Sequence, residues 1–284
     1  SLALARGAWH GTHRTLAQPT EKQIKDADVV HLHTVADWFD VPSWVRRLPR
    51  KVHVVVGLHD LWHISGGCFV YTGCDHFVRD CSPCPLLRSP ANRMIAGHEL
   101  RRKVDAYNSV NAVFVANSRW LQKLAERSTA LQGKPVSIVP PQVNTRHFYP
   151  QNREACRASL GLSPTEMVVA TGCTSLTDNN KNTPELLRML ARLNYPNLRV
   201  IVFGEGSIPT PPNLAVKFLG LQNKKEALAK IYGAADIFAS ASKMETYGLT
   251  LAEAYACGCA IVAYRIGGIP EALPQGDAVD PCNP

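Results

Sequence analysis

Two successive series of short apolar runs, each alternating with helical segments, constrain the fold of this chain more than any other feature. The first series has candidate strands at 28–33, 52–58, 112–116 and 136–139, with helices at 42–48, 92–108 and 119–128. The second has candidate strands at 166–171, 198–203, 216–219, 237–240 and 259–264, with helices at 183–193, 224–233 and 249–257. Such alternation predicts right-handed crossovers and parallel sheets covered by helices.

The region between the two series is polar and contains prolines, so it is a candidate domain junction. We predict an N-terminal domain over 1–144, a linker over 145–164 and a C-terminal domain over 165–284. The 284 residues suit two domains of ordinary size. Each domain is expected to be a doubly wound, Rossmann-like α/β unit, and the two are expected to face each other across a cleft. Ligands of such sheets bind beyond the carboxyl ends of the strands.

The net charge of +8 favours anionic partners such as nucleotides, nucleic acid or an acidic lipid surface. The basic residues are dispersed, and the densest groups are Arg46, Arg47, Arg50, Lys51 and Arg101, Arg102, Lys103. Nucleic-acid binding needs basic residues clustered with aromatic ones, so we expect no nucleic acid. The two groups are either solvated faces or a surface for peripheral contact with an anionic membrane. The apolar runs are all far shorter than the roughly 18 residues of a membrane span.

Four of the nine cysteines, Cys68, Cys74, Cys81 and Cys84, lie within a long loop over 60–90 that has no regular period. Thiolates with this spacing could surround one tetrahedral Zn²⁺, and a loop of this length needs something to order it. We therefore predict a structural zinc site, with disulfides or free thiols as alternatives and with His63 and His76 as alternative ligands. The other cysteines are scattered among small and apolar residues, which favours a reducing, cytoplasmic location.

The segment 242–271 contains the most informative arrangement in the chain. A strand leads into a loop with Glu245, and a helix then begins at Gly248-Leu249-Thr250. Backbone N–H groups at a helix start are unpaired and suit a diphosphate. Glu245 and Glu253 could each accept hydrogen bonds from hydroxyl groups of one extended ligand. The alternative interpretation is a helix with ordinary acidic residues near its first turn.

This segment resembles the signature of the retaining GT-B glycosyltransferases of family 4, also called group 1, in which Glu-x7-Glu precedes a Gly-Gly-x-x-Glu turn. Glu245 and Glu253 have that spacing, and residues 267–271 supply the turn. Other pieces similar to the family occur in the expected order, including HLHTVADW at 31–38, LHDLW at 58–62 and FGEG at 203–206. A subset of the family carries a similar cysteine-bearing segment after its HD-x-W motif.

The resemblance implies a catalytic role for three side chains. Glu245 would bind hydroxyl groups of the transferred sugar, Lys181 would neutralise the phosphates, and His59 would face the donor sugar from the first domain. Asp60 would lie on the acceptor side. The residues implied for donor binding are Gly204, Gly248, Leu249, Thr250 and Glu253, of which Glu253 would hold the ribose.

The implied function is retaining transfer of a hexose-type sugar from a UDP- or GDP-sugar to a glycan or lipid-linked acceptor, in polysaccharide or glycolipid synthesis. No cofactor is needed for this chemistry, because lysine and helix-start amides can stabilise the leaving diphosphate. The enzyme would be cytoplasmic and peripheral to the membrane.

The opening strand and the closing helices of the family are not evident in this sequence, so the chain is expected to be a fragment or a shortened member. A degenerate or truncated, non-catalytic nucleotide-sugar binder therefore stays open as an alternative. A zinc-ordered nucleic-acid-binding protein is the alternative from another class.

Overall fold

A computed structural model describes residues 24, 27–33, 36 and 39–273, residue 91 by its backbone only. The chain divides into two compact units, unit 1 (Ser1–Pro140) and unit 2 (Pro141–Pro284). The boundary precedes the stretch 145–164 that the sequence assigns to a linker, and those residues lie in unit 2.

Unit 1 contains a parallel sheet in the order β1-β2-β3-β4. Its strands are β1 (Val29–Leu32), β2 (His53–Leu58), β3 (Ala112–Ala116) and β4 (Val136–Ile138). Its helices are α1 (Val41–Val45), α2 (Pro90–Asn108) and α3 (Arg119–Arg127), with 3₁₀ turns at Trp62–Ile64, His76–Val78 and Thr129–Leu131. The strands and helices predicted for this part of the chain are confirmed to within a few residues at their ends.

The start of α3 illustrates how local sequence determines an element boundary. Ser118 is the N-cap, and its hydroxyl accepts a hydrogen bond from the backbone N–H of Leu121 at 3.1 Å. This bond satisfies one of the helix-start N–H groups that would otherwise have no intrahelical partner. The serine before the helix therefore fixes where α3 begins.

A buried lysine joins α2 to the loop that follows β2. Lys103 is fully buried, and its Nζ donates to the carbonyl oxygens of Trp62 at 2.5 Å and Ser65 at 2.8 Å. The same ammonium lies 3.7 Å from the centroid of the Trp62 ring. Burial lowers the pKa of Lys103 to about 7, although the nearby Glu99 carboxylate acts in the opposite direction. Lys103 thus anchors the beginning of the loop.

The basic group at 101–103 is not a solvated face, which corrects one interpretation of the sequence. Arg101 is exposed, whereas Lys103 is buried. Arg102 forms ion pairs with Asp40, at the start of α1, and with Glu99 at 3.3 Å. These pairs join α1 to α2, so two of the three basic residues stabilise the fold of unit 1 rather than meeting an external anion.

We expect Lys103→Met to reduce the stability of unit 1 by about 3 kcal/mol, because the carbonyl groups of Trp62 and Ser65 would lose their buried donor. Lys123→Met, at an exposed position of α3, is the matched control and should change stability little. Urea unfolding followed by tryptophan fluorescence measures both variants. Equal stabilities would show that Lys103 does not anchor the loop.

Unit 2 contains a second parallel sheet, in the order β7-β6-β5-β8-β9. Its strands are β5 (Met167–Ser175), β6 (Leu198–Glu205), β7 (Ala215–Phe218), β8 (Ile237–Ser240) and β9 (Ala260–Ala263). Its helices are α4 (Arg153–Ser159), α5 (Thr183–Arg192), α6 (Lys225–Ala234), α7 (Leu249–Ala256) and α8 (Ile269–Ala272). The chain proceeds from β5 to one edge of the sheet and then returns to the other side of β5, so the order of strands reverses between β5 and β8.

Helices cover both faces of the unit 2 sheet. Alternate residues of β5 belong to different hydrophobic clusters, with Val168 and Ala170 in one and Val169 in the other. The first cluster includes residues of α4, α6 and α7, and the second includes residues of α5. Burial on both faces explains why the strands are nearly continuous apolar runs in the sequence. Throughout the described ranges, every helix is too short or too polar to cross a membrane.

Candidate functional site

The loops after β5 and β8 meet at the point where the order of strands in unit 2 reverses. β5 and β8 are parallel neighbours, with Val169 opposite Ile237. Two hydrogen bonds join the loops: the Asn180 side-chain amide donates to the Met244 carbonyl at 2.8 Å, and the Lys243 backbone N–H donates to the Asn180 carbonyl at 2.8 Å. Ligands of open α/β sheets bind at such reversals, so this edge is the candidate site.

Lys181 and Glu245, which the sequence places far apart along the chain, are brought together by these loops. Lys181 Nζ donates to Glu245 Oε1 at 2.5 Å. The side chains are 32% and 18% exposed, so both retain contact with solvent. A partly exposed ion pair contributes little to stability. The pair places one cationic and one anionic group side by side, where both are accessible to a ligand.

The Gly-Gly turn predicted from the sequence packs directly against the loop that carries Glu245. The Gly268 N–H donates to the Glu245 carbonyl oxygen at 2.9 Å. A Cβ on Gly267 would lie 2.0 Å from that same oxygen, and one on Gly268 would lie 2.0 Å from the Thr246 oxygen. Gly267 also has a positive φ of 54°. Only glycine permits this approach, so the turn is a backbone clasp that positions Glu245.

The start of α7 has the properties expected of an anion site. Gly248 is the N-cap in the left-handed conformation, with φ 97°, and no side chain caps the helix. The N–H groups of the first turn therefore point away from the helix body without a capping side chain, and the positive end of the helix dipole adds to them. Leu249, in this turn, is 41% exposed. The helix therefore begins where the sequence predicts, at Gly248, Leu249 and Thr250.

Gly204 lies at the end of β6, where the structure shows a packing reason for glycine. A Cβ at this position would lie 2.3 Å from the carbonyl oxygen of Cys173, at the end of the neighbouring strand β5. The residue therefore allows two strand ends to approach each other closely. Contact with a donor, which the resemblance implies for Gly204, stays a prediction.

Glu253 lies farther along α7, against α6. Burial raises the pKa of this carboxyl to about 6, while the charge of Lys225 and the hydroxyl of Tyr232 act in the opposite direction. Neither partner was predictable from the sequence, because both lie on α6 and are distant from Glu253 in the chain. A carboxylate held in this half-buried place can accept hydrogen bonds from ligand hydroxyl groups once it is ionised.

In unit 1, His59 and Asp60 follow β2 directly. Asp60 Oδ1 accepts a hydrogen bond from the Trp62 N–H at 2.7 Å and so stabilises the 3₁₀ turn that begins the long loop. His59 Nε2 lies 2.8 Å from Nδ1 of His33, at the end of β1. His33 belongs to the HLHTVADW motif at 31–38, but the resemblance implies no role for it. The signal was present, because residues at i and i+2 of a strand point to the same face.

The structure gives no support to the predicted zinc site. Within residues 39–273 and the short described stretches before them, no three His, Cys, Asp or Glu side chains are grouped so that they could hold a metal ion. Cys68, Cys74, Cys81 and Cys84 are free thiols, which also gives no support to the disulfide alternative. Burial and the neighbouring thiols raise the pKa of Cys68 to about 12, and burial raises that of Cys81 to about 11, so both thiols are protonated in the metal-free protein.

The loop that holds these cysteines is ordered by other contacts. The Gly66 N–H donates to Cys81 Sγ at 3.3 Å, and the Thr129 hydroxyl donates to the Phe77 carbonyl at 3.2 Å. Together with the Lys103 anchor, these bonds explain how a long loop without regular structure stays packed on unit 1.

The match to a known protein family lies in unit 2. Residues 166–282 match the family model described as "Glycosyl transferases group 1". The chain is 36% identical over 267 residues to a D-inositol 3-phosphate glycosyltransferase of Mycolicibacterium gilvum (strain PYR-GCK), an alignment that covers 88% of this chain and 53% of that relative. The chain spans about a third to a half of the length of the curated relatives that it matches.

Solved structures show the same fold. A glycosyltransferase from Rickettsia africae ESF-5 is 17% identical with a TM-score of 0.61, covering 93% of this chain and 65% of that chain. HepE of Anabaena, in complex with UDP-glucose, is 18% identical with a TM-score of 0.56, covering 89% of this chain and 65% of that chain. The fold is therefore the GT-B fold of two Rossmann-like α/β domains, and the matches support group 1 of the glycosyltransferases.

We expect Gly267→Ala to displace the Glu245 loop, because its Cβ would lie 2.0 Å from the backbone oxygen of Glu245. Gly220→Ala is a matched control: its φ is also positive, at 68°, but nothing lies within 4 Å of the added carbon. The control should lose only about 1 kcal/mol of stability, the cost of the backbone conformation. Gly267→Ala should lose clearly more in thermal unfolding, and equal losses in the two variants would contradict the clasp.

The raised pKa of Glu253 predicts a pH dependence of stability. Because the folded-state pKa lies above the unfolded value, Glu253 contributes stability that is present below about pH 4.5 and lost as pH rises through about 6. Glu253→Gln should therefore unfold at a higher temperature than the unsubstituted protein at pH 7.5, with the difference shrinking towards pH 4. Glu154→Gln, at an exposed position, should show no such trend. A pH-independent difference for Glu253→Gln would refute this interpretation.

Proposed function

We propose that this chain is part of a retaining glycosyltransferase that transfers a sugar from a nucleoside-diphosphate sugar to a hydroxyl-bearing acceptor. The observation that carries the proposal is the joint placement, at the strand reversal of unit 2, of the Lys181–Glu245 pair and the uncapped start of α7. The group 1 match over residues 166–282 covers Glu245 and α7 and supports the same conclusion.

In this proposal each group has a distinct task. The first-turn N–H groups of α7 bind the diphosphate, and Glu253 binds the ribose hydroxyl groups. Lys181 stabilises the negative charge that develops on the leaving diphosphate in the transition state. A cation already held in position gives the largest stabilisation of such charge. Glu245, positioned by the clasp, accepts hydrogen bonds from the transferred sugar. His59 and Asp60 of unit 1 act on the sugar and acceptor side.

The partners are proposed from chemistry and from the relatives. HepE was solved with UDP-glucose, which supports UDP-glucose as the first donor to test, with a GDP-sugar as the alternative. The matched curated relatives are D-inositol 3-phosphate glycosyltransferases, which supports inositol 3-phosphate as one acceptor beside glycans and lipid-linked acceptors. The exposed basic group Arg46, Arg47, Arg50 and Lys51 would favour a charged acceptor or an anionic membrane surface.

We expect Glu245→Ala to abolish transfer and Lys181→Ala to lower kcat by roughly a hundredfold with a higher KM for the donor, since removing one such stabilising group costs about 10²–10³ in rate. Glu154→Ala and Lys230→Ala, at exposed positions of unit 2, are the charge-matched controls and should retain full activity. The assay follows nucleotide release and product formation with each donor. Full activity in Glu245→Ala would contradict the site assignment.

The stereochemistry of the product tests retention separately. A product with the same anomeric configuration as the donor, read from the NMR coupling constant of the anomeric proton, agrees with the proposal. An inverted configuration would contradict it.

A non-catalytic nucleotide-sugar binder is the second candidate, because the same helix start and carboxylates would bind a donor without transferring it. Calorimetry with UDP and UDP-glucose distinguishes the cases. Binding that Lys181→Ala weakens, without transfer to any acceptor of the panel, favours the binder. The absence of binding to UDP- and GDP-sugars alike would rule out both candidates.

A further inference from the structure

Three imidazole rings gather over one glycine at the carboxyl ends of β1 and β2. His33 Nδ1 and His59 Nε2 are 2.8 Å apart, and the ring centroids of His31 and His33 are 4.0 Å apart. A Cβ on Gly57 would lie 3.1 Å from each of the two bonded nitrogens and 3.5 Å from His31 Nε2. The rings thus rest on the bare Cα of Gly57, and the absence of a side chain there permits their contact.

A hydrogen bond between two imidazoles restricts the protons of both rings. A neutral imidazole has one N–H donor and one acceptor nitrogen, so one ring of the pair donates and the other accepts. Protons on both facing nitrogens would place two N–H groups against each other at 2.8 Å. The pair therefore holds a single proton between His33 and His59, and the direction of the bond determines whether Nδ1 of His59 carries a proton.

The surroundings favour the neutral form of His59. Burial and the charges of His33 and His31 lower the pKa of His59. On the other side, the fully buried His63 interacts with His59 and with Lys103, and burial lowers the pKa of His63 to about 3. Asp60 is the neighbouring acidic residue, and its Oδ1 is engaged by the Trp62 N–H. No group of three possible metal ligands is found in the described parts of the chain.

We propose that His33 is a positioning residue for His59: its hydrogen bond to Nε2 holds the orientation and the tautomer of the His59 ring, with Gly57 as the surface on which both rings rest. The consequence for catalysis rests on the proposed function, in which His59 contacts the sugar. The pairing itself does not depend on that function, because it is a property of unit 1.

Nitrogen-15 NMR of the histidine rings tests the pairing directly. In the unsubstituted protein His59 should show one dominant tautomer, and His33→Ala should convert it to a tautomer mixture and raise the pKa of His59. His33→Asn, whose side-chain amide can donate or accept in the place of Nδ1, should largely restore the single tautomer. His98→Ala, at an exposed position of α2, is the control and should leave the His59 signals unchanged.

Gly57→Ala tests the same pairing without removing an imidazole. The added carbon should push His33 and His59 apart and weaken the single-tautomer pattern. Gly133→Ala is its control, because no atom lies within 4 Å of the added carbon there.

In transfer assays, His33→Ala should lower kcat by roughly tenfold to a hundredfold, the range expected when a reacting group is misplaced, with little change in the donor KM. The acid limb of the kcat profile should move to higher pH, and His33→Asn should recover most of the rate. Signals of His59 that are identical in His33→Ala and the unsubstituted protein at every pH would overturn the pairing. An altered tautomer with an unchanged kcat would overturn the positioning role. A protein that shows the tautomer change but transfers no sugar would instead count against the proposed function.

Discussion

The parallel pairing of β5 with β8 is the constraint on which the candidate site depends. These strands are distant in sequence, yet Val169 and Ala170 lie opposite Ile237 and Phe238 at the centre of the sheet. Because neighbouring parallel strands end at the same edge of the sheet, the loops after β5 and β8 lie next to each other. The Lys181–Glu245 contact follows from this pairing, and so does the position of α7 beside it. No local feature of either loop would have produced the site alone.

Glu245 is held through its backbone and its side chain independently. Its carbonyl oxygen accepts from Gly268, while its carboxylate accepts from Lys181. The first contact is rigid, because it involves two backbones without intervening side chains. The second is partly solvated and can be exchanged for contacts with a ligand. The backbone of Glu245 is thus fixed, while its carboxylate can exchange Lys181 for a ligand. This combination lets Glu245 bind a substrate without a large movement.

The order of strands and helices was predictable, because apolar periodicity and caps such as Ser118 are local signals. The positions of Glu245 and the α7 start were predictable because a motif of fixed spacing contains both. Contacts between distant segments were not: the Gly267 approach to Glu245, the burial of Lys103 and the His33–His59 pair all depend on packing. The cysteine spacing predicted zinc, but no group of three possible ligands is found in the described part of the chain, since spacing along the sequence does not specify distances in the fold.

The clasp also closes the chain between Thr246 and Gly267 into a ring whose ends touch through backbone atoms. Helix α7 and strand β9 both belong to this closed segment of the chain. Any tilt of α7 is therefore opposed by the Glu245–Gly268 hydrogen bond, because the two ends of this segment cannot separate without breaking it. The amide of Gly268, although it lies in a turn, thus links the start of α7 to the backbone that carries Glu245.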